Sequence, residues 1–251
     1  MEQKEKINKI IENSKLLKLS YSAKNIENYL YENELLNSSL IDFCYDLLQK
    51  EVDIRLENGK QNRIRNADFP YKKFLEDLKP EYLPEDARKK LNILRSLNFI
   101  KDRQNVVLFG NPGTGKTHIA IGLGIKACME GYKVLFASVP SLVNKLKEAK
   151  NERTLSLLQG KFEKYDLIIL DELGYISFDK EGGELLFTYL SLRAERKSTI
   201  ITTNLSYEKW NDVFHDTVLT AAIVDRITHK AISVNMIGDS YRMKETKEFK
   251  F

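Results

Sequence analysis

The stretch "GNPGTGKT", Gly110 to Thr117, has the residue types and the spacing of a phosphate-binding loop, G-x-x-x-x-G-K-[ST]. Its glycines allow a tight turn that brings backbone N–H groups close to phosphate oxygens. Lys116 adds a positive charge for the β- and γ-phosphates, and the hydroxyl of Thr117 is suited to Mg²⁺. An apolar segment precedes the loop and a helical pattern follows it, a context that a glycine-rich turn with an incidental lysine would not need. The residues predicted to contact the nucleotide are Gly110, Asn111, Pro112, Gly113, Thr114, Gly115, Lys116, Thr117 and His118.

Two adjacent acids, Asp171 and Glu172, follow a second apolar run, "LIIL". In a P-loop fold such a strand ends near the phosphates, so Asp171 is predicted to hold Mg²⁺ through water. Consecutive strand residues point to opposite faces, but a turn of the backbone would aim Glu172 at the γ-phosphate, where it could accept a proton from the attacking water. The alternative for Glu172 is a solvated surface side chain. Ras-type GTPases orient water with a glutamine instead, so the acid pair favours an ATPase.

A third polar residue, Asn204, follows the apolar segment "STIITT". A polar side chain at the tip of a buried strand needs a partner. Asn204 is suited to orient the same water or to contact the γ-phosphate. The alternative is that its side chain caps the next turn of the chain.

These motifs lie on short apolar runs that alternate with helical patterns from about residue 105 onward. The runs "NVVLF", "KVLFA", "DLIIL", "STIITT" and "AISVN" predict strands, and the intervening helices predict an α/β fold with a mostly parallel sheet. Residues 1 to about 60 instead repeat apolar residues every three or four positions, which indicates helices. We therefore predict a small all-helical N-terminal domain over residues 1–66 and a P-loop ATPase domain over residues 67–251.

Composition excludes several other kinds of protein. The 251 residues carry a net charge of +4, which is compatible with a polyanionic partner but does not require one. Cys44 and Cys128 lie far apart, so we expect two reduced, mostly buried thiols rather than a disulfide framework or a zinc site. No apolar run approaches the ~20 residues of a membrane span, and the charged N-terminus does not resemble a secretory signal. We expect a cytoplasmic protein.

Five segments, in order, carry a family resemblance: "LFGNPGTGKTHIAIGLG", "LIILDELGYISFD", "STIITTNLSYEKWNDVFHD", "AAIVDRITHKA" and "GDSYRMK". Together they resemble the IstB family, the AAA+ ATPases that accompany the transposase of IS21-type insertion sequences. That family is similar to the bacterial helicase loaders DnaC and DnaI. The resemblance covers residues 63 to 246. The N-terminal region resembles the family only in its helical character.

The segments differ in how narrowly they define the family. The P-loop is shared by very many proteins, whereas "DELGY" followed by Trp210, Phe214 and Asp216 favours IstB over the helicase loaders. DnaI-type loaders carry a cysteine-rich zinc module that two isolated cysteines do not supply. Trp210 and Tyr175 are candidates for base stacking, but a lone tryptophan in a helix is more often part of a core.

The resemblance implies a role for each matching residue. Residues 110–117 resemble Walker A, Asp171 and Glu172 resemble Walker B, and Asn204 resembles sensor 1. Arg226, within "VDRI", resembles the arginine that reaches the ATP of a neighbouring subunit in AAA+ oligomers, a role that suits a forked, always-charged donor. The alternative for Arg226 is an ion pair with Asp225 or another acid on its own helix.

The end of the chain departs from many AAA+ proteins. The resemblance implies that the family lacks the helical lid, so a lid-borne sensor 2 arginine is doubtful. Arg242, in "GDSYR", matches a family position for which we have no role.

Duplex DNA is the partner that the resemblance implies, and two basic stretches are candidates to contact its phosphates. The second follows the second predicted strand, where initiator and loader ATPases carry an extra helix that faces nucleic acid. The first comprises Lys60, Arg63, Arg65, Lys72 and Lys73, and the second comprises Lys145, Lys147, Lys150 and Arg153. Solvated faces are the alternative for both, and residues 1–90 carry equal numbers of basic and acidic side chains. Nothing resembles a base-reading code, so we expect sequence-independent binding.

The sequence therefore predicts an ATPase that uses ATP and Mg²⁺, forms a homo-oligomer with ATP between subunits, and assembles on duplex DNA to regulate an IS21-type transposase. Two alternatives stay open. One is a replicative helicase loader of the DnaC/DnaI type. The other is a nucleotide-dependent binding module without turnover, against which the intact Glu172 argues.

Overall fold

The computed structural model describes residues 2–241, so the sequence prediction on Arg242 lies outside the described residues. The chain divides into two compact units, Met1–Asn62 and Arg63–Phe251. None of the helices within the described range is long and apolar enough to cross a membrane.

The first unit is helical. It contains α1 (Gln3–Leu16), α2 (Ser22–Leu35) and most of α3 (Leu40–Arg65). The carboxylate of Glu51 on α3 accepts a 2.6 Å hydrogen bond from the backbone N–H of Ser22, the first residue of α2. Burial acts to raise the pKa of Glu51, but the N–H donors around it outweigh burial and the pKa lies below its usual value. The helical character expected for the N-terminal region is confirmed.

The second unit is built on five strands, and all four strand pairs are parallel. The strands are β1 (Val106–Phe109), β2 (Val134–Ser138), β3 (Leu167–Leu173), β4 (Ser198–Thr203) and β5 (Ile232–Asn235), in the order β2-β3-β4-β1-β5. Each of the five apolar runs that predicted a strand forms one. The predicted parallel α/β architecture is confirmed.

Within the described part of this unit, residues 63–241, eight α-helices connect or precede the strands. They are α4 (Glu85–Arg95), α5 (Asn98–Lys101), α6 (Lys116–Met129), α7 (Val139–Asn151), α8 (Leu155–Phe162), α9 (Lys180–Arg193), α10 (Asn211–Phe214) and α11 (Thr217–Thr228). Short 3₁₀ turns occur at Leu75–Asp77, Pro80–Tyr82 and Tyr207–Trp210. Three helix starts are capped by side-chain oxygens, those of Ser138, Asp179 and Asp216, which satisfy backbone N–H groups left free at a helix N-terminus.

Both faces of the sheet are buried, as expected for parallel strands. Successive strand residues alternate between two apolar clusters. Leu108 and Ile169 belong to the cluster that includes residues of α4 and α6, and Val107 and Ile168 belong to the cluster that includes residues of α7, α9 and α11. Burial on both faces explains why these strands read as continuous apolar runs.

Four residues that the sequence singled out lie in contrasting environments. Trp210 is fully buried in the second cluster, which confirms the expectation that it is a core residue, whereas Tyr175 is exposed. Cys128 is buried, but Cys44 is exposed, so the expectation that both thiols are mostly buried is wrong for Cys44. A small unit buries only part of the surface of its helices, so a cysteine on one of these helices need not face the core.

Candidate nucleotide site

The loop between β1 and α6 requires glycine for two separate reasons. Gly113 and Gly115 have φ of 77° and 95°, in the left-handed region that residues with a Cβ avoid. Gly110 has φ of 148°, and a Cβ built there would lie 2.3 Å from the backbone carbonyl carbon of Met236. Close approach of another chain segment, as well as backbone conformation, therefore fixes these positions.

Lys116 begins α6 and is 6% exposed. Its Nζ donates to the carbonyl oxygen of Gly110 at 2.8 Å and to that of Asn111 at 2.6 Å. The ammonium group is thus held across the loop by the loop's own carbonyls. A buried cation beside the backbone N–H groups of a helix N-terminus makes this end of the sheet suited to bind an anion.

Asp171 is the centre of a hydroxyl network next to the loop. Its carboxylate is 6% exposed and accepts hydrogen bonds from Thr117 Oγ1, at 2.9 Å to Oδ1, and from Thr202 Oγ1, at 2.5 Å. Thr117 lies on α6 and Thr202 on β4, so three elements bring the network together. A buried carboxylate with two hydroxyls offers the hard oxygen ligands that Mg²⁺ prefers.

A β-bulge in β3 explains how Glu172 turns away from the regular strand pattern. Leu170 pairs with Ile201 and Leu173 pairs with Thr203, so Asp171 and Glu172 together lie opposite a single residue of β4. Glu172 has φ of 66°, and its N–H donates to Thr202 Oγ1 at 3.0 Å. The bulge aims adjacent carboxylates into one site, where a regular strand would point them to opposite faces.

Asn204 follows β4 and carries a buried side-chain oxygen, Oδ1, that has no hydrogen-bond partner among the described residues. The turn after β4 is capped by Thr203 instead, whose Oγ1 accepts the N–H of Leu205 at 3.1 Å. The alternative in which Asn204 caps that turn is therefore not what the structure shows. A buried amide oxygen without a partner is costly and points to an interaction outside the described chain.

A cavity of about 400 Å³ is lined by the loop from Gly113 to His118 together with Glu172 and Thr202. Asp171 and Asn204 are not among its lining residues. The remaining lining residues were not predicted to contact the nucleotide: Tyr71, Lys73, Asp77, Leu78, Lys79, Tyr82, Leu83, Tyr175 and Tyr241. The cluster of aromatic and proline residues in "FPYKKFLEDLKPEYLP" was a signal for those between residues 71 and 83, but not for Tyr175 or Tyr241.

The chain after β5 lies directly over the phosphate-binding loop. The backbone N–H of Tyr241 donates to the carbonyl oxygen of Gly113 at 2.9 Å, and the side-chain amide of Asn111 donates to that of Gly238 at 3.2 Å. The rings of Tyr82 and Tyr241 meet edge to face with centroids 5.4 Å apart. Through these contacts residues 236–241 form a covering segment over the loop.

Arg226 lies away from this cavity. It is exposed on α11, where its Nη1 donates to Ser191 Oγ at 2.8 Å and its guanidinium lies 4.3 Å from the ring centre of Phe187. Both contacts are to α9, so the predicted alternative of an ion pair with Asp225 is not observed. No acidic side chain of the described chain forms an ion pair with the guanidinium of Arg226.

Several of the predicted DNA-contacting side chains already contact other groups of the chain. Lys60 lies 3.5 Å from Glu57, and Arg63 Nε donates at 2.7 Å to the carbonyl oxygen of Cys128, near the end of α6. Lys147 and Lys150 each form a 2.6 Å ion pair, with Asp179 and Glu181 at the start of α9. The exposed members of the two clusters are Arg65, Lys72, Lys73, Lys145, Arg153 and the paired Lys150. Half of the second cluster's positive charge is thus balanced by α9.

Comparison with protein families gives a match over nearly the whole chain. A family model described as IstB-like ATP binding protein matches residues 12–249. The ATP-binding protein of insertion sequence IS21 from Pseudomonas aeruginosa is 35% identical over 92% of this chain and 88% of its own length. The corresponding IS232 protein of Bacillus thuringiensis subsp. berliner is 33% identical over 94% of this chain and 93% of its own length.

Comparison with solved structures identifies the fold. AMPPCP-bound DnaA from Aquifex aeolicus is 22% identical with a TM-score of 0.57, covering 72% of this chain and 55% of that one. A crystal structure of DnaI is 21% identical with a TM-score of 0.57, covering 70% and 93%. These similarities confirm the predicted AAA+ P-loop fold, and at such identities they carry no conclusion about activity.

Proposed function

This chain belongs to the family of IstB-like ATP-binding proteins, and we propose that it is an ATPase that assembles on duplex DNA and regulates a separate transposase. One observation carries the hydrolytic part of the proposal. The bulge in β3 aims Glu172 at the cavity that holds the phosphate-binding loop, while Asp171 binds the Thr117 hydroxyl beside it. We assign the activity to residues 67–251, as predicted from the sequence.

ATP would lie along the cavity with its phosphates on the loop. The backbone N–H groups of the loop and Lys116 Nζ would bind the β- and γ-phosphates. Tyr82 and Tyr241, whose rings meet edge to face, also line the cavity and suit a planar base. A volume of about 400 Å³ falls within the range of small-molecule sites.

The oxygen-only ligands at the loop fit Mg²⁺. Thr117 Oγ1 and the Asp171 carboxylate already lie within 2.9 Å of each other, and Mg²⁺ is usually bound by one or two such groups together with substrate phosphates and water. When bound, the ion would neutralise charge that develops on the phosphate oxygens. Thr202 holds the Asp171 carboxylate in place from β4.

Hydrolysis would then proceed by in-line attack of water on the γ-phosphorus. The Glu172 carboxylate would accept one proton of that water as its oxygen bonds to phosphorus. The bond between the γ-phosphorus and the bridging oxygen breaks, and ADP leaves with the electron pair. The unpartnered Oδ1 of Asn204 is suited to accept a hydrogen bond from the same water.

Assembly of several copies would complete the site. Arg226 is exposed, forms no ion pair with an acid of the described chain, and lies outside the cavity of its own subunit. We infer that it serves the site of a neighbouring copy, where a guanidinium would stabilise charge spread over the phosphate. ATP would therefore lie between subunits of a homo-oligomer.

The DNA and transposase parts of the proposal rest on the family. The relatives named above belong to insertion sequences, and the exposed basic residues Arg65, Lys145 and Arg153 are suited to phosphate contacts that carry no base specificity. A DNA partner is compatible with the cytoplasmic location expected from the sequence. In a pull-down in the presence of ATP, capture of an IS21-type transposase by this chain would support the assignment. Capture of a replicative helicase alone would favour the helicase-loader alternative.

The test of the enzymatic proposal is ATP turnover with and without duplex DNA. Glu172→Gln keeps the shape of the side chain but removes its basicity, so we expect unchanged ATP affinity and hydrolysis reduced at least ~100-fold. Glu195→Gln is the matched control, because Glu195 is also an exposed residue with positive φ (60°). Wild-type turnover by Glu172→Gln would refute the catalytic assignment.

A further inference from the structure

Five large apolar side chains form a row along one side of α3. Ile41, Tyr45, Leu48, Val52 and Leu56 are 81%, 66%, 60%, 49% and 60% exposed. Their spacing of four, three, four and four residues brings them within about 80° of the helix circumference at 3.6 residues per turn. A helix face that meets water is normally polar, whereas this row is apolar and exposed. The row is therefore a contact face without a partner in the described chain.

The opposite side of α3 already has its partners within the first unit. Phe43 lies 5.3 Å from the ring of Tyr29, and Glu51 accepts the N–H of Ser22. Lys50 Nζ lies 5.4 Å from the ring centre of Tyr21. The exposed row therefore is not the face that holds α3 in its own unit. The helix carries two separate contact faces, and only one of them is used.

The exposed row is nearly symmetric about Leu48. Ile41 and Leu56 lie seven and eight positions from Leu48, and Tyr45 and Val52 lie three and four positions from it. If two copies of α3 lie antiparallel across Leu48, each apolar residue therefore comes level with an apolar residue of the other copy. Such a self-complementary patch is the property that a two-fold interface needs, and spacings of three and four residues keep the row on one side of the helix, as in a two-helix seam.

The charges of α3 favour the antiparallel over the parallel arrangement. Before Leu48 the helix has two acids, Asp42 and Asp46, and no base. Every base of the helix follows Leu48: Lys50, Arg55, Lys60, Arg63 and Arg65, against the acids Glu51, Asp53 and Glu57. Parallel helices would bring the two acidic halves together, whereas antiparallel helices bring each acidic half beside a basic half and also oppose the helix dipoles.

We propose that α3 is a self-association surface that pairs antiparallel with α3 of a second copy of this chain, centred on Leu48. The pairing uses the side chains of residues 41–56 and requires no nucleotide. It is therefore separate from any assembly that depends on ATP between the ATPase domains, and it stands whether or not that activity is demonstrated.

Sedimentation of the full chain without nucleotide, over a range of concentrations, tests the surface. Tyr45→Glu should weaken dimer formation at least ~10-fold because it introduces a charge into the seam. Tyr31→Glu is the matched control: Tyr31 lies on α2 and is 65% exposed, against 66% for Tyr45, and its substitution should leave the dimer unchanged. Thermal unfolding of both variants establishes that they are folded.

Cysteine cross-linking tests the direction of pairing. In a Cys44→Ser background with an added oxidant, Leu48→Cys should form a disulfide-linked dimer, since Leu48 lies on the two-fold axis. Ile41→Cys alone should not, because its two copies would be about 20 Å apart along the seam, but a mixture of Ile41→Cys and Leu56→Cys should. A chain that stays monomeric, a dimer indifferent to Tyr45→Glu, or Ile41→Cys linking as readily as Leu48→Cys would overturn the proposal.

Discussion

The hydroxyl oxygen of Thr117 lies 2.9 Å from Oδ1 of Asp171, although 54 residues separate them in the chain. Thr117 lies in the first turn of the helix after β1, and Asp171 lies near the end of β3. Parallel strands direct their carboxyl ends to the same edge of a sheet, which is where such folds bind ligands. The pair fixes the position of a metal-binding group relative to the phosphate-binding loop.

Removing the Asp171 charge should therefore abolish magnesium-dependent hydrolysis. Asp171→Asn keeps the size of the side chain but loses the anionic oxygen, so we expect turnover to fall at least ~100-fold. ATP hydrolysis measured over a range of Mg²⁺ concentrations checks this. Asp212→Asn, at an exposed position on α10, is the control. Wild-type turnover of Asp171→Asn at ordinary Mg²⁺ would show that another group holds the metal.

The covering segment should make Gly113 intolerant of a side chain. A Cβ at Gly113 would lie 2.2 Å from Ser240 Oγ, whereas a Cβ at Gly131 would meet nothing within 4 Å, and both residues have positive φ. Gly131→Ala should thus lose only the ~1–2 kcal/mol of left-handed strain and keep its ATP affinity. Gly113→Ala should lose more stability and at least ~10-fold in ATP affinity.

Denaturant unfolding and nucleotide titration distinguish these two effects. Adding Ser240→Gly to Gly113→Ala removes the clash and should recover part of the lost stability. Equal losses of stability and ATP affinity in Gly113→Ala and Gly131→Ala would mean that residues 236–241 can move away from the added methyl group without a loss of free energy.

Mixing two inactive variants should reveal whether Arg226 acts on a neighbouring subunit. Arg226→Ala keeps Glu172, and Glu172→Gln keeps Arg226, so a mixed oligomer contains interfaces with both residues intact. At equal amounts, random mixing makes roughly a quarter of the interfaces complete, and activity should reappear to about that extent. Each variant alone is the control. A mixture as inactive as its components would argue that Arg226 serves its own subunit or none.

Cys128 should make stability depend on pH in the alkaline range. Burial raises the pKa of its thiol to about 12, while the unfolded chain ionises near the ordinary value of about 8.5. Below that value neither state ionises and stability is unaffected. Between the two pKa values the Cys128 thiol is ionised in the unfolded chain but not in the folded chain. The contribution of the thiol to the free energy of unfolding therefore falls by ~1.4 kcal/mol per pH unit.

The difference in unfolding free energy between wild type and Cys128→Ala, compared at pH 8 and pH 10, isolates this effect from other titrating groups. Cys44→Ala is the control, since Cys44 is exposed. A difference that does not change with pH would show that the folded chain ionises Cys128 normally.

The sequence alone predicted the parts of this molecule whose signals are local. The apolar runs of β1 to β5 are continuous because both sheet faces are buried, and that pattern is visible without coordinates. Lys116, Thr117 and the acid pair at residues 171 and 172 followed from residue type and spacing, because the loop and the strand end are each built from consecutive residues.

What only the tertiary structure decided depends on contacts between distant segments. The bulge at Asp171 and Glu172 requires the register of β3 against β4, and the close passage of residues 236–241 over Gly113 joins segments more than a hundred residues apart. The neutralisation of Lys147 and Lys150 by α9, and the exposed row on α3, likewise appear only when helices are packed. Sequence therefore identified the phosphate-binding loop and the acid pair, and packing determined where these groups point and which other side chains line the cavity, because side-chain direction depends on backbone register and neighbours that spacing along a chain does not encode.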